Sequence, residues 1–317
     1  MNIGYIGNFE APHSTENDRA WAFNKLGHQV IAFQENKVIV QDILDKLPDE
    51  HYSDSEISPS IDLLVYSHTH GWEIEGLEAV FRFCKKVKVP VISVHLDRWA
   101  WLEREKDVGV EATWKVDHMF MADGSPEAVK LYENNNINWT YLKPGVDERG
   151  CYMAAPDPVK YPHEIIFVGS KGYHPEYPFR PQLIDFLKET YGERFGHYGG
   201  DGLGTIRGHD LNVLYASAKI VVGDSCFGDR PKYWSDRVTE TLGRGGFLLH
   251  PKVADLPPNL FGSYRAGNLN DVKAKVDMWL GLEKDRKKVQ RTGFRHVKKY
   301  ENYTVRAKEI LDVMEKN

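Results

Sequence analysis

Cysteine is scarce in this chain: three among 317 residues, at Cys84, Cys151 and Cys226, with no Cys-x-x-Cys pair. Such spacing excludes a disulfide-framed scaffold and a zinc knuckle, and a reducing cytoplasm is the expected compartment. Long apolar runs are missing as well, since no segment approaches the roughly 20 residues needed to span a bilayer. The opening MNIGYIGNFE has neither the basic head nor the apolar stretch of a secretory signal, so the chain is expected to stay where it is made. A formal charge of −5 gives no global field that attracts nucleic acid. Two motifs are also lacking: Asp-x-Asp occurs nowhere, and the first strand-to-helix turn carries no Gly-x-Gly-x-x-Gly. The first absence disfavours binding a diphosphate through a divalent metal, and the second disfavours a dinucleotide-dependent dehydrogenase.

What is present is a two-part α/β pattern. Short apolar runs alternate with amphipathic segments in the first half: IGYIG (3–7), a helix near 18–26, HQVIAF (28–33), IDLLVYSHT (61–69), a helix near 76–86, VPVISVHL (89–96), a short helix near 99–106, VDHMFMA (116–122), a helix at 126–134 and WTYL (139–142). Strands that are apolar throughout, separated by helices, indicate a parallel sheet covered on both faces. The rhythm fails in DERGCYMAAPDPVKYPHE (147–164), which reads as a linker, then restarts with EIIFVGS (164–170), a helix near 180–190, RFGHYGG (194–200), a helix near 210–216, AKIVVGDS (218–225), a helix at 236–242 and GFLLHP (246–251). A chain of this length suits two domains of roughly 150 residues. Domains are expected at 1–150 and 151–300, with 301–317 as a terminal helix. The aromatic complement of sixteen Tyr, fourteen Phe and eight Trp suits ordinary cores first and ligand stacking second.

Candidate functional residues fall at strand ends, where α/β proteins place ligands. In GNFEAPHSTENDRAW (7–21), His13, Glu16 and Asp18 either face a cleft or, with Ser14 or Thr15, make an ordinary capped helix start. SHTHGWE (67–73) sets His68 and His70 at the spacing of a metal pair, yet no third ligand accompanies them and no metal is expected. VISVHLDRWAW (91–101) brings His95 and Asp97 to the same rim, where a histidine can move a proton near neutral pH. In the second half, FVGSKGYHPEYPFR offers Gly169, Ser170, Lys171 and Arg180, small residues for backbone approach and cations for an anion. HYGGDGLGT adds Gly200, and DRPKYWSDR adds Arg230, Lys232, Ser235, Asp236 and Arg237.

The densest stretch is SDRVTETLGRGGFLLHP (235–251). Its Glu240 has two readings: a carboxylate that accepts two hydrogen bonds from a ribose diol, or an exposed helical acid paired with Arg237, worth a few tenths of a kcal/mol. A basic run with eight Lys or Arg between Lys284 and Lys299 reads first as a solvated helix face and second as a phosphate-binding surface.

FVGS (167–170), YGGDG (198–202), LYASAKIVVGDS (214–225), SDRVTETLGRGGFLLHP and RTGFRHVKKYENYTVRAKEIL (291–311), with TYLKPGVD (140–147) closing the first half, resemble the GT-B glycosyltransferases, in particular the group-1 (GT4-like) and CgeB-like transferases. The resemblance implies two Rossmann-like domains with parallel sheets facing across a cleft, acceptor on the first and nucleotide-sugar donor on the second, and a final helix (303–316) crossing back. It implies ribose binding by Glu240, a diphosphate held by basic residues around Lys171, Arg180 and 230–237, and a donor-sugar contact by His95. The family's Glu-x7-Glu pair is incomplete, because Lys232 stands where the first acid belongs.

The expected activity is therefore a metal-independent glycosyltransferase of hexosyl type that uses no cofactor and takes a nucleotide diphosphate sugar, a UDP-sugar first, as co-substrate. His95, Asp97, Glu16 and His13 are the candidate catalytic groups. The acceptor is left open among glycan, lipid, protein and modified DNA. Two alternatives stand beside it: a phage-type DNA glycosyltransferase acting on a hydroxymethylated base, and a non-catalytic nucleotide-sugar-binding protein.

Overall fold

A computed structural model describes residues 1–48, 60–67, 74–172, 174–228 and 230–316. Two compact units emerge, Met1–Leu142 with Arg306–Asn317, and Lys143–Val305. The first unit runs β1 (Asn2–Gly7), α1 (Thr15–Lys25), β2 (Gln29–Gln34), α2 (Val40–Leu44), β3 (Leu63–Tyr66), α3 (Leu77–Lys86), β4 (Val91–His95), β5 (His118–Met121), α4 (Pro126–Asn134) and β6 (Trp139–Tyr141). Among the described residues these strands form one parallel sheet in the order β2-β1-β3-β4-β5-β6. The inner strands β3 and β4 are buried along their whole length, whereas β2 and β6 at the edges are partly exposed. α3 shows why the helices dock: Leu77, Val80, Phe81 and Cys84 recur at helical spacing and all four are buried.

The second unit runs β7 (Ile165–Val168), α5 (Phe179–Tyr191), β8 (Phe195–Tyr198), α6 (Gly208–Ser217), β9 (Ile220–Val222), α7 (Arg237–Gly243), β10 (Leu248–Pro251), β11 (Gly262–Tyr264), α8 (Leu269–Gly281) and α9 (Glu283–Tyr300). Its parallel sheet has the order β11-β10-β9-β7-β8. Ile165, Phe167, Leu183, Leu187, Val222, Phe247 and Leu249 share one core between this sheet and α5. The last helix, α10 (Tyr303–Met314), starts in the second unit, and from Arg306 onward its residues belong to the first. There Ala307, Ile310 and Leu311 are buried.

Each sheet reverses its strand order once on either side of its first strand. In the first, β1 lies between β2 and β3; in the second, β7 lies between β8 and β9. In open α/β sheets ligands bind outside the carboxyl ends at such a point. The second sheet's switch point is thus bounded by Gly169 after β7 and Asp224 after β9.

Three local differences from the sequence expectations have plain causes. The helix expected near 99–106 is instead a 3-10 turn at Glu103–Asp107, preceded by Trp101 at φ +67°. A left-handed residue cannot continue an α-helix. The stretch 147–164 is largely exposed but anchored to the second unit at Cys151 and Tyr161: Cys151 is buried with Trp234, Val238, Leu242 and Val297, and the Asp147 carboxylate accepts from the Arg149 and Gly150 amides. α2 and β11, five and three residues long, are too short to leave a periodic signal. The turn from α7 into β10 needs its glycine at 245, where φ is +75° and a side chain would press on Met153.

Candidate functional site

Glu240 lies in the first turn of α7 with 28% of its side chain exposed, and its partner is Arg244 rather than Arg237. Arg244 donates from Nε (3.0 Å) and Nη2 (2.8 Å) to the same oxygen, Oε2. The other guanidinium nitrogen, Nη1, donates to Asn212 Oδ1 at 2.6 Å and lies 3.3 Å from the Gly208 carbonyl and 3.4 Å from that of Gly150. Buried Asn212 closes the network by donating to the Gly150 carbonyl at 2.8 Å. Cys151 Sγ stands 3.9 Å from both Glu240 oxygens. Burial raises the Glu240 pKa, and the Arg244 charge opposes the rise. Burial, with the Glu240 charge adding to it, also pushes the Cys151 thiol up, so this cysteine is no ready thiolate nucleophile.

Three residues earlier on the same helix, Arg237 turns the other way, toward the switch point. Its Nε donates to the Val168 carbonyl at 2.8 Å, and its Nη1 to the Asp224 backbone carbonyl and carboxylate at 3.1 and 3.2 Å. The guanidinium lies 4.8 Å from the Phe167 ring centre. Gly169, at φ +135°, leaves room for it, because a Cβ there would sit 2.6 Å from Arg237 Nη2. Arg180 reaches the same acid, with Nε 3.0 and 3.1 Å from the two Asp224 oxygens. The side chains of Arg180, Asp224 and Arg237 are 7%, 0% and 11% exposed. Two guanidiniums on one carboxylate leave the cluster with a net charge of +1 at the carboxyl end of β7 and β9.

Behind it, the approach to α7 is fixed by a neutral histidine. The Pro251 carbonyl can only accept, so His250 Nδ1 donates to it at 2.7 Å and Nε2 is left as an acceptor. Ser225 Oγ then donates to Nε2 at 3.0 Å and accepts from the Ser235 amide at 2.9 Å. Burial lowers the His250 pKa to about 4. A folded-state value below the unfolded one, roughly 6.5, means that stability is full above that pH and is lost as pH falls toward 4. The loss from this residue is expected to reach about 3 kcal/mol at 1.36 kcal/mol per pKa unit. A urea-unfolding series from pH 7 to 4 checks it: in His250→Gln the midpoint should fall less steeply than in the wild type, and an unchanged slope would assign the loss to other groups.

Residues 180–312 match the family model described as Glycosyl transferase-like. Arg180, Asp224, Arg237, Glu240 and Arg244 all fall inside that match. Among curated proteins, none matches the sequence. Solved structures resemble the whole chain at low identity. Anabaena HepE, crystallised with UDP and glucose, has 10% identity and a TM-score of 0.66, each chain covered in full. Sucrose-phosphate synthase from Thermosynechococcus elongatus has 11% identity and a TM-score of 0.60, with 100% of this chain and 98% of that one covered. Apo OtsA has 9% identity and a TM-score of 0.66 over 98% of each chain. Two parallel sheets of this order give the chain the GT-B fold.

The remaining expected residues are placed as follows. Lys171 pairs with Asp185 at 2.5 Å, while its amide donates to Asp201. Ser170 and Gly200 are exposed beside it in the loops after β7 and β8. Ser235 Oγ accepts from the Arg237 amide at 3.3 Å and donates to Asp236, so it serves the helix start itself. Lys232 is exposed with φ +52°, and Arg230 is half-buried in the same loop.

In the first unit, buried His95 ends β4 between Trp99 and Trp114, with ring centres 5.2 and 6.4 Å away. Asp97 faces Arg104 at 3.7 Å. Glu16 is buried in the first turn of α1, accepting from Thr15, and His13 is exposed before it. Buried Asp18 shares that turn, and Ser14 caps the helix by accepting from the Asn17 amide. His68 and His70 lie outside the described residues. No helix among the described residues is long and apolar enough to cross a membrane. On the basic helix α9, Arg286 and Lys298 are turned to backbone carbonyls and Lys287 pairs with Glu283. Sequence reasoning missed Asp224 and Arg244. The Glu-x3-Arg spacing of 240 and 244 was the available signal for the second.

Proposed function

We propose that this chain is a metal-independent glycosyltransferase of hexosyl type, moving a sugar from a nucleotide diphosphate sugar, a UDP-sugar first, to an acceptor hydroxyl. The observation that carries the reading is Glu240 itself: a carboxylate held by Arg244 through Oε2 alone, which leaves Oε1 able to accept from a ribose diol. The Arg180–Asp224–Arg237 cluster supports it by holding net positive charge at the sheet's switch point. Charge that develops on a leaving diphosphate is stabilised most by groups already fixed in place. The sequence has no Asp-x-Asp to recruit a metal, so Arg230, Lys232, backbone amides and, on leaving Asp185, Lys171 supply the remaining positive charge. HepE, of the same fold, was crystallised with UDP-glucose, which makes uridine the first base to try. On the acceptor side, His95, Asp97, Glu16 and His13 are the groups proposed to hold or take the hydroxyl proton.

Thermal unfolding of the full chain with UDP, GDP, ADP and TDP and their sugars tests this. A ligand that binds only the folded state adds about 2.7 kcal/mol at one hundred times its Kd. UDP and a UDP-sugar are expected to raise the midpoint, and no shift with any of these ligands would overturn the reading.

A further inference from the structure

We propose that Arg244 is the positioning residue of the donor site, anchoring Glu240 Oε2 so that Oε1 alone is presented to the two ribose hydroxyls of the nucleotide. The inference rests on the reading of Glu240 as the ribose-binding group and goes beyond it by naming what aims that group and what the aim selects. The geometry is unusual for a helical ion pair. An i,i+4 arginine facing solvent shares its donors loosely and contributes a few tenths of a kcal/mol. Here the Arg244 side chain is 9% exposed, and two of its nitrogens converge on a single carboxylate oxygen. Its third nitrogen is held by Asn212 on α6 and by the carbonyls of Gly150 and Gly208. The guanidinium is thus fixed from two segments outside its own helix, α6 and the stretch around Gly150, and the carboxylate it grips inherits that rigidity. A planar five-donor fork does this where an ammonium cannot.

The selection follows from what each oxygen can still accept. Oε2 takes two hydrogen bonds from Arg244, whereas among the described residues Oε1 has the Cys151 thiol at 3.9 Å, which lies equally far from Oε2. One carboxylate oxygen has two lone pairs and can accept from both hydroxyls of a vicinal diol. Arg244 therefore makes the site a reader of the intact 2′,3′ diol, and a nucleotide lacking either hydroxyl leaves one acceptor direction empty. The charges around the carboxylate are Arg244, Asp236 and Asp147, with Cys151 and Tyr215 neutral beside them. Arg244 is the group among these whose charge opposes the rise that burial imposes on the Glu240 pKa.

Calorimetric titration of the full chain with UDP and with 2′-deoxy-UDP decides the matter, using Arg244→Lys and Arg244→Ala beside Glu240→Ala. Wild type is expected to favour UDP by about 10-fold, the usual worth of one hydrogen bond to a charged group. Arg244→Lys, which keeps the charge and loses the fork, should bring that preference within about 2-fold while its melting temperature and overall fold hold. Arg244→Ala should in addition lose UDP affinity at a higher pH than the wild type as pH is lowered, because burial already raises the Glu240 pKa and the Arg244 charge is what opposes that rise. If Glu240→Ala binds UDP as well as wild type, the ribose reading itself fails. If Glu240→Ala weakens UDP but folded Arg244→Lys keeps the full preference for the diol, only the positioning role is overturned. Should Arg244→Ala fail to fold, the diol preference of the lysine variant decides by itself.

Discussion

Replacing Glu240 with alanine is expected to weaken UDP-sugar binding by roughly 100-fold, about 3 kcal/mol at 1.4 kcal/mol per decade. An effect of that size follows from the loss of two hydrogen bonds to a charged acceptor, each worth about 1.5–3 kcal/mol but not fully additive. A control separates ribose from phosphate: inorganic pyrophosphate has no diol, so its affinity should stay within about 2-fold of wild type. The variant must also carry a structural penalty, because alanine leaves the guanidinium of Arg244 with only Asn212 and two carbonyls as acceptors. Removing one partner of a buried pair is costly because the other charge stays behind. A melting temperature lowered by a few degrees alongside the 100-fold loss is therefore the expected pair of results. A folded variant that binds UDP-sugar within 2-fold of wild type would remove Glu240 from the site.

How much of this was legible beforehand depended on the range of the interactions. The strands at 3–7, 91–95, 165–168 and 248–251 announce themselves because full burial on both faces demands unbroken apolar runs, and α4 begins at Pro126 because proline is suited to a first helical turn. Glu240 was legible as an acid crowded with Asp236 and Arg237 into a glycine-rich helix-to-strand connection. Its partner was not. Arg237 and Arg244 both stand within a turn of Glu240, and only the docking of α7 on α9 and β10 sends one to Asp224 and the other to the carboxylate. The sequence offers Arg180 and Arg237 as cations for a diphosphate but not their shared acid, because Asp224 lies 44 and 13 residues away, a separation that no local pattern encodes. The stretch 147–164 misled for a related reason. Its prolines and mixed polarity look like a connector, yet Cys151 and Tyr161 are buried by partners far along the chain.

Asp224 carries the other large prediction, and its two consequences point in opposite directions. Asp224→Ala strips the counter-charge from two guanidiniums that are nearly buried, and breaking such a pair costs about 3–5 kcal/mol. Amide exchange in β7 and β9, on either side of the cluster, should report that loss as a matching drop in opening free energy. The milder Asp224→Asn keeps the shape and one acceptor oxygen but raises the net charge of the cluster from +1 to +2. Stability should fall by less than in the alanine variant, while pyrophosphate affinity rises, since two arginines no longer share a fixed anion and an incoming one can take its place. Arg180→Met in the Asp224→Asn background removes one orphaned charge and should recover part of the stability, giving a coupling energy of about 0.5–3 kcal/mol in the double-mutant cycle. A purely structural triad would lose stability in Asp224→Asn with pyrophosphate affinity unchanged or lower, and that outcome would separate the cluster from the phosphate site. A gain in affinity together with a loss in stability would mean that the protein holds its diphosphate-binding cations in readiness with a carboxylate of its own, accepting weaker binding in exchange for a folded, closely packed switch point.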